Sequence, residues 1–418
     1  MENQIKIKKC SLIPNGCSLK DEYAILRGNP SIDYYESLTS PSISMTVQFV
    51  DIDQMLSQEG ITGGELIDVT VQVDDRLFEI KSKKHRLMLN SVKDMVTDTN
   101  KQLATLEFIS VEAIINETAR VNKKFTGNVS QTIEELLIND KKGIQSPKKL
   151  DKDNAVNSYA FIGNLKRPID VIQWLQPKTQ SSKESFGFLF YETLDGYHFK
   201  SIEKLLEQEP YTYKKTDRPV LGDFKILENN FNQTNDIAFN LRMGMYATKT
   251  IYIDVENQTK SIVDFTTDDL KLKRPPKLMD GLEKSPSRLM LRVNDFGVAQ
   301  KGAKKDDVVP SSELAVYQNK SYTRNNLLFS QSLKISIPFN PDLRAGLTLD
   351  IKLPFKKDNR TKRGGSTGEN SSKATTDSFG DDKTNDPSGK YLISELRHIL
   401  GGGKSETQLT LIRDVFTA

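Results

Sequence analysis

Cysteine is nearly absent from this chain: its 418 residues hold two, Cys10 and Cys17, with three histidines and a single tryptophan. Two cysteines cannot build a disulfide framework. Their spacing also fits no zinc pattern, since no further cysteine or nearby histidine completes four ligands. Paired or free thiols in a flexible amino-terminal segment are the expectation for both. An excess of either charge is missing too, with 59 Lys and Arg against 56 Asp and Glu, a net +3. A dedicated nucleic-acid binder carries a large basic excess, so that class is disfavoured. No uncharged apolar run reaches the roughly 18 residues of a membrane-spanning helix. The first seventeen residues have no apolar stretch of signal-peptide length behind their lysines. The expectation is a soluble chain, made in the cytoplasm and inserting in no membrane. Seven Asn-x-Ser/Thr triplets, beginning at Asn116 and Asn128, then read as chance matches.

What is present is a chain that folds. Hydrophobic residues make up 36% and charged residues 28%, and the length predicts roughly two to four domains. Period two dominates the first hundred residues. Met45, Val47 and Phe49 alternate with polar neighbours, as do Ile67, Val69, Val71 and Val73, and then Ala104, Leu106 and Phe108. Gly63-Gly64 and Asp74-Asp75 stand where hairpin turns are needed. This pattern predicts a half-buried antiparallel sheet or small barrel ending near residue 112.

Helical spacing follows at Val111, Ile114, Ile115 and Thr118. Ser130 is the expected N-cap of a second helix bearing Ile133, Leu136 and Leu137, and a third is expected around Ile169, Ile172, Trp174 and Leu175. A hairpin of 186–191 against 197–199 should turn at Asp195-Gly196. Residues 268–311 are crowded with Lys, Asp, Pro and Gly, as in an insertion with exposed loops. Two amphipathic strands follow, 333–339 and 347–355, joined through Asn340-Pro341-Asp342. Residues 364–390 are almost all small or polar, with Ala374 and Phe379 as the apolar exceptions, and predict a long mobile loop.

Candidate chemistry is sparse. His85, His198 and His398 have no second ligand at helical spacing, and hydrogen bonding within a β-domain is their ordinary role. Gly401-Gly402-Gly403-Lys404-Ser405 suggests a phosphate loop, but His398 stands where that motif needs glycine, so a glycine-rich turn is expected. The pairs Asp74-Asp75, Asp268-Asp269 and Asp381-Asp382 fall in turns or loops, where solvated charge is the default. The basic run from Lys356 to Arg363 could form a phosphate-binding arm, or simply a soluble loop with opposing charge blocks. Trp174 reads as a core anchor. No catalytic, cofactor-binding or metal-ligating residue is singled out, and the chain reads as a non-enzymatic scaffold.

Several segments resemble the baseplate central hub proteins of contractile-tailed bacteriophages. They are Ala119 to Gly127 with Ser130 to Ile133, Phe186 to Thr193 with Gly196 to Ile202, and Ser388 to His398 with Thr407 to Asp414. With 333–355 they cover about half the chain, in the order that family shows. The resemblance implies a homotrimer in which each chain supplies two tube-type β-barrels, adapting a hexameric tail tube to a trimeric central spike. It also implies contacts with neighbouring baseplate proteins, a channel through which DNA passes without specific binding, and a place in the virion tail. The stretch Gln102 to Leu106 faintly echoes Gln408 to Leu411, late in each expected barrel.

The expected fold is α+β, mainly β. A first barrel spans 1–112, a middle α+β unit 113–205, a second barrel 206–250 with 312–418, and an insert 251–311. The alternatives are a tail-associated hydrolase of cell-wall glycan, needing a carboxylate pair in a cleft, and a nucleic-acid-binding structural protein using 356–363.

Overall fold

The computed structural model describes residues 5–17, 19–52, 54–73, 76–98, 101–181, 186–214, 224–232, 237–255, 257–270, 277–293, 298–301, 311–353, 388–401 and 403–414. Asp74-Asp75, Asp381-Asp382, the basic run 356–363 and nearly all of the expected loop lie outside these residues. The fold is mainly β with flanking helices, as the alternating pattern implies.

The amino-terminal half is built on strands β1 (Ile5–Ile13), β2 (Ser31–Ser37), β3 (Ser44–Asp51), β4 (Leu66–Val73), β5 (Arg76–Ile80), β6 (Leu87–Asp98) and β7 (Lys101–Ser110). The spatial order is β2-β3-β7-β6-β4-β1, antiparallel throughout, with β5 hairpinned onto β4. Alternation does its work here: Ile67, Val69, Val71 and Val73 are each fully buried, as is Val47. Strand β1 corrects one expectation. Cys10 lies in a sheet rather than a flexible arm and is fully buried, while Cys17 is exposed, and both are free thiols. Burial pushes the Cys10 thiol up to about 12, so it is unreactive at neutral pH.

The middle unit follows the expected helices closely. Helix α1 (Val111–Thr118) leads to α2 (Val129–Glu134), α3 (Pro168–Leu175) and, after a hairpin, α4 (Ile202–Leu206). The N-cap of α2 is Asn128, whose side chain accepts the Ser130 N–H at 2.9 Å. Ser130, expected in that place, is buried, and its hydroxyl donates to the Asp153 carbonyl. Strand β8 (Asn157–Ile162) and the hairpin of β9 (Phe188–Thr193) and β10 (Gly196–Ser201) complete the unit. Trp174 is half-buried, edge-on to Tyr159 and Phe161, with Lys178 Nζ 3.0 Å from its ring centroid.

Next come β11 (Tyr211–Lys214), β12 (Glu228–Asn232) and α5 (Ile237–Met243). A separate three-stranded sheet follows, of β13 (Ala247–Asp254), β14 (Thr259–Thr266) and β15 (Arg288–Val293). The boundary expected between residues 250 and 251 falls inside β13. The segment is stitched to the middle unit: β16 (Val298–Lys301) pairs with β8, and the long helix α6 (Ser311–Leu328) contributes Leu314, Ala315 and Tyr317 to the middle core.

The carboxy-terminal half contains β17 (Gln331–Pro338), β18 (Thr348–Lys352), β19 (Gly389–Gly401) and β20 (Lys404–Arg413). Its order is β11-β18-β19-β20-β17-β12. The amphipathic strands β17 and β18 do not pair with each other. The first lies between β12 and β20, the second between β11 and β19. Neither half closes into a barrel among the described residues. Instead the halves join edge to edge through β19 and β2, and one hydrophobic core runs through both.

Candidate assembly site

At the junction β2 runs antiparallel to β19, from Ile32 opposite Leu400 to Ser37 opposite Glu395. Parity decides what each residue does. Asp33 and Tyr35 point to the same side as Arg397, whose Nη2 sits 2.9 Å from Asp33 Oδ2 and whose guanidinium covers the Tyr35 ring at 5.5 Å. Tyr34 and His398 point into the core and stack at 6.0 Å. Phe78 and Phe339 meet the histidine edge-on, so four rings from both halves interlock.

Glu36 has core parity as well and is fully desolvated. Its Oε1 accepts the Tyr34 hydroxyl and the Leu194 N–H, each at 2.8 Å, and its Oε2 accepts the Ala345 N–H at 2.8 Å. One carboxylate thus holds β2, the turn between β9 and β10, and the β17–β18 connection. Burial pushes its carboxyl above the usual range, against the pull of Arg344 and these donors. Beside it Gly346 has φ 88°, and a Cβ there would stand 2.2 Å from the Tyr191 hydroxyl. Glycine is required by both the angle and the approach.

A second buried cluster binds the amino-terminal half to the middle unit. Lys148 Nζ lies 2.6 Å from Glu192 Oε1 and 2.8 Å from Glu112 Oε2, and donates to Ser110 Oγ at 3.2 Å. Glu192 Oε2 accepts from Ser110 Oγ at 2.6 Å and from the Ile43 N–H at 3.1 Å. Arg86 reaches Glu112 at 3.2 Å from the solvent side. Two carboxylates and two cations balance. The opposite charges lie within ion-pair distance, and the cluster ties the two units together.

The three histidines are dispersed. His85 Nδ1 accepts the Lys81 N–H at 2.9 Å, closing a turn, and burial lowers the ring to about 4. His198 is lowered by burial and bonds Thr193 Oγ1 at 2.9 Å. His398 Nδ1 lies 2.9 Å from Thr407 Oγ1, and burial lowers it to about 3. Gly401 and Lys404 face each other as the last pair of the β19–β20 hairpin, which continues as a strand rather than the helix of a phosphate loop. Asp268 pairs with Lys284, and Asp269 accepts the Thr266 N–H. A cleft of about 210 Å³ between β5 and the β17–β18 connection is lined by Phe78, Lys84, His85 and Arg344. Its acids Glu79, Asp195 and Asp342 are paired with Lys81, Arg344 and Arg76 respectively. Among the described residues no cluster of His, Cys, Asp or Glu is arranged to hold a metal, and no helix is long and apolar enough to cross a membrane.

Sequence reading missed Glu36, Glu112, Lys148 and Glu192. A signal existed for two of them. Glu36 occupies the apolar parity set by Ile32 and Tyr34, and Glu192 ends a run of buried apolar residues.

No protein-family model matches the chain, and no curated protein matches it. Its fold does match solved structures. One is a tail protein from Neisseria meningitidis, 11% identical, with TM-score 0.52 over 98% of this chain and 97% of that one. Another is the 43 kDa tail protein of prophage MuSo2 from Shewanella oneidensis, 11% identical, with TM-score 0.51 over 98% and 99%. Both of these structural neighbours are tail proteins, and the likeness of fold to them extends over essentially the whole length of this chain.

Proposed function

We propose that this chain is a structural protein of a phage-type tail baseplate, a hub of three copies that joins a hexameric tail tube to a trimeric central spike. The observation that carries the reading is the whole-length likeness of fold to two tail proteins. The topology supports it, because each chain brings two sheet halves joined edge to edge. Three copies bring six, which suits a sixfold tube on one face and a threefold spike on the other. In the assembled ring each half acts as a tube-type barrel unit lining a channel for DNA, without specific binding. The middle unit and the insert, beginning before β13, face neighbouring baseplate proteins. The protein resides in the virion tail after synthesis in the host cytoplasm and cleaves no bond.

Native mass measurement of the chain, alone and mixed with its tail-tube and spike proteins, tests this. Three copies per particle are expected, and a monomer in every mixture overturns the reading. Clearing of a cell-wall suspension would point instead to the hydrolase. Salt-dependent DNA affinity would point to the nucleic-acid binder.

A further inference from the structure

Between β8 and α3 the chain makes a turn that its residues do not favour. The ladder pairs Ile162 with Lys124 and then Lys166 with Val121, so Gly163, Asn164 and Leu165 stand opposite only Asn122 and Lys123. The extra residue makes a bulge, a device that re-aims neighbouring side chains. The Lys166 N–H closes the turn on the Gly163 carbonyl at 3.1 Å, and Asn164 and Leu165 both have positive φ, 48° and 57°. Such a turn favours Asn-Gly, and Asn164 meets the first preference. Leucine in the second place strains the backbone, because its Cβ crowds the carbonyl oxygen that follows. The strain is not offset by burial. Leu165 is 60% exposed and Ile162 is 66% exposed, and neither joins a hydrophobic cluster of the described residues.

The turn is held in place all the same. The Val121 N–H donates to the Lys166 carbonyl at 3.0 Å, the Leu165 N–H to the Val121 carbonyl at 2.9 Å, and the Gly163 N–H to the Lys123 carbonyl at 2.9 Å. A Cβ on Gly163 would stand 2.6 Å from the Val121 oxygen, so the two backbones are in contact. Lys166 Nζ lies 5.0 Å from the Trp174 ring centroid. An aliphatic side chain presented on a backbone already fixed binds at little ordering cost. The surrounding charge has one sign. Arg120, Lys124 and Lys166 are exposed about the turn. The acids Glu117, Glu135 and Asp140 are paired with Arg167 and Lys123, which leaves Asp170 on α3 against three cations.

We infer that Leu165 and Ile162 are the anchors by which the middle unit docks on a neighbouring tail protein, entering an apolar pocket rimmed by carboxylates; this rests on the baseplate reading above. A few anchors in desolvated pockets carry most of the affinity of a protein interface. Two aliphatic side chains are too small a face to hold a lipid surface, and they add nothing to contacts with a phosphate backbone.

The test is titration calorimetry of the full chain against each of the other tail proteins, purified singly, with phosphatidylglycerol vesicles and short duplex DNA as further probes. One tail protein should bind wild type and Leu165→Met alike, and Leu165→Gly at least about thirtyfold more weakly. Glycine relieves the strained angle, so Leu165→Gly should melt no lower than wild type. Lys124→Glu should weaken the same complex, by less as salt is added. A melting temperature more than about 4 °C lower for Leu165→Gly means that leucine serves the fold, and overturns the inference. If every tail protein that binds wild type binds Leu165→Gly as tightly, the docking site is wrong and the hub reading stands. Loss of vesicle or DNA binding in Leu165→Gly, with all protein complexes intact, replaces the protein partner by that surface. A wild-type chain that binds no tail protein removes both readings.

Discussion

The carboxylate of Glu36 accepts the backbone N–H of Ala345 at 2.8 Å, across 309 positions of sequence. With the Leu194 N–H and the Tyr34 hydroxyl on its other oxygen, it is the point where both sheet halves and the middle unit meet. Glu36→Ala leaves three buried donors without an acceptor, at about 1–3 kcal/mol each. Denaturant unfolding should show a loss of at least about 3 kcal/mol, with Glu36→Gln milder because its carbonyl still accepts. A loss under about 1 kcal/mol for Glu36→Ala would mean that water replaces the carboxylate.

Lys148 stands between two buried acids, so removing it should cost more than removing a surface lysine. Lys148→Met leaves Glu112 and Glu192 facing each other with Arg86 alone beside them. Breaking a buried pair in this way costs about 3–5 kcal/mol. The companion variant Lys148→Met, Glu192→Gln should recover much of that stability. Thermal melts of both variants check the prediction, and equal melting temperatures count against it.

The architecture was largely legible where burial is one-sided. Period two at 45–49, 67–73 and 104–108 marks strands whose alternate residues are buried. The 3.6 period at 111–118 marks α1, but its buried residues are Glu112 and Asn116, not the apolar stripe of Val111, Ile114, Ile115 and Thr118. What escaped has physical reasons. Helix α6 buries Gln318, Asn319, Ser321, Thr323 and Arg324 beside its apolar residues, so no apolar stripe betrays it. Arg324 is neutralised by Asp414 at 2.5 Å, a partner remote in sequence. Strands β11 and β12 read Tyr-Thr-Tyr-Lys and Glu-Asn-Asn-Phe-Asn, too short and polar for alternation to stand out. Glu36 and Glu192 were visible only as acids at core positions, and their donors come from distant loops.

His398 makes stability depend on acid. Burial holds its folded value near 3, below the unfolded value of about 6.5. The neutral ring is therefore the folded form. Its contribution is complete above about pH 6.5 and is lost as pH falls toward 3, at up to about 1.4 kcal/mol per unit. His398→Gln should be less stable at pH 7, having lost the stack on Tyr34, and the gap to wild type should narrow as pH falls. Groups shared by both proteins cancel in that difference. A gap that stays constant from pH 7 to pH 4 would falsify the assignment.

Strand β18 tests whether the carboxy-terminal half depends on its apolar face. Leu349 and Ile351 are fully buried there, opposite Tyr391 and Gly389 on β19. Replacing both by Asp places two carboxylates in the shared apolar core. Each must stay charged at a cost of several kcal/mol or take up a proton. Because β19 also carries the junction to β2, the damage should spread to the amino-terminal half. Hydrogen exchange should show β2 and β3 losing protection along with β19 and β20. Substituting Asp350, half-buried on the opposite parity, by Asn should change little. If the double Asp variant loosens only the carboxy-terminal half, the halves are separate cooperative units, and the edge-to-edge sheet is a contact rather than a shared core.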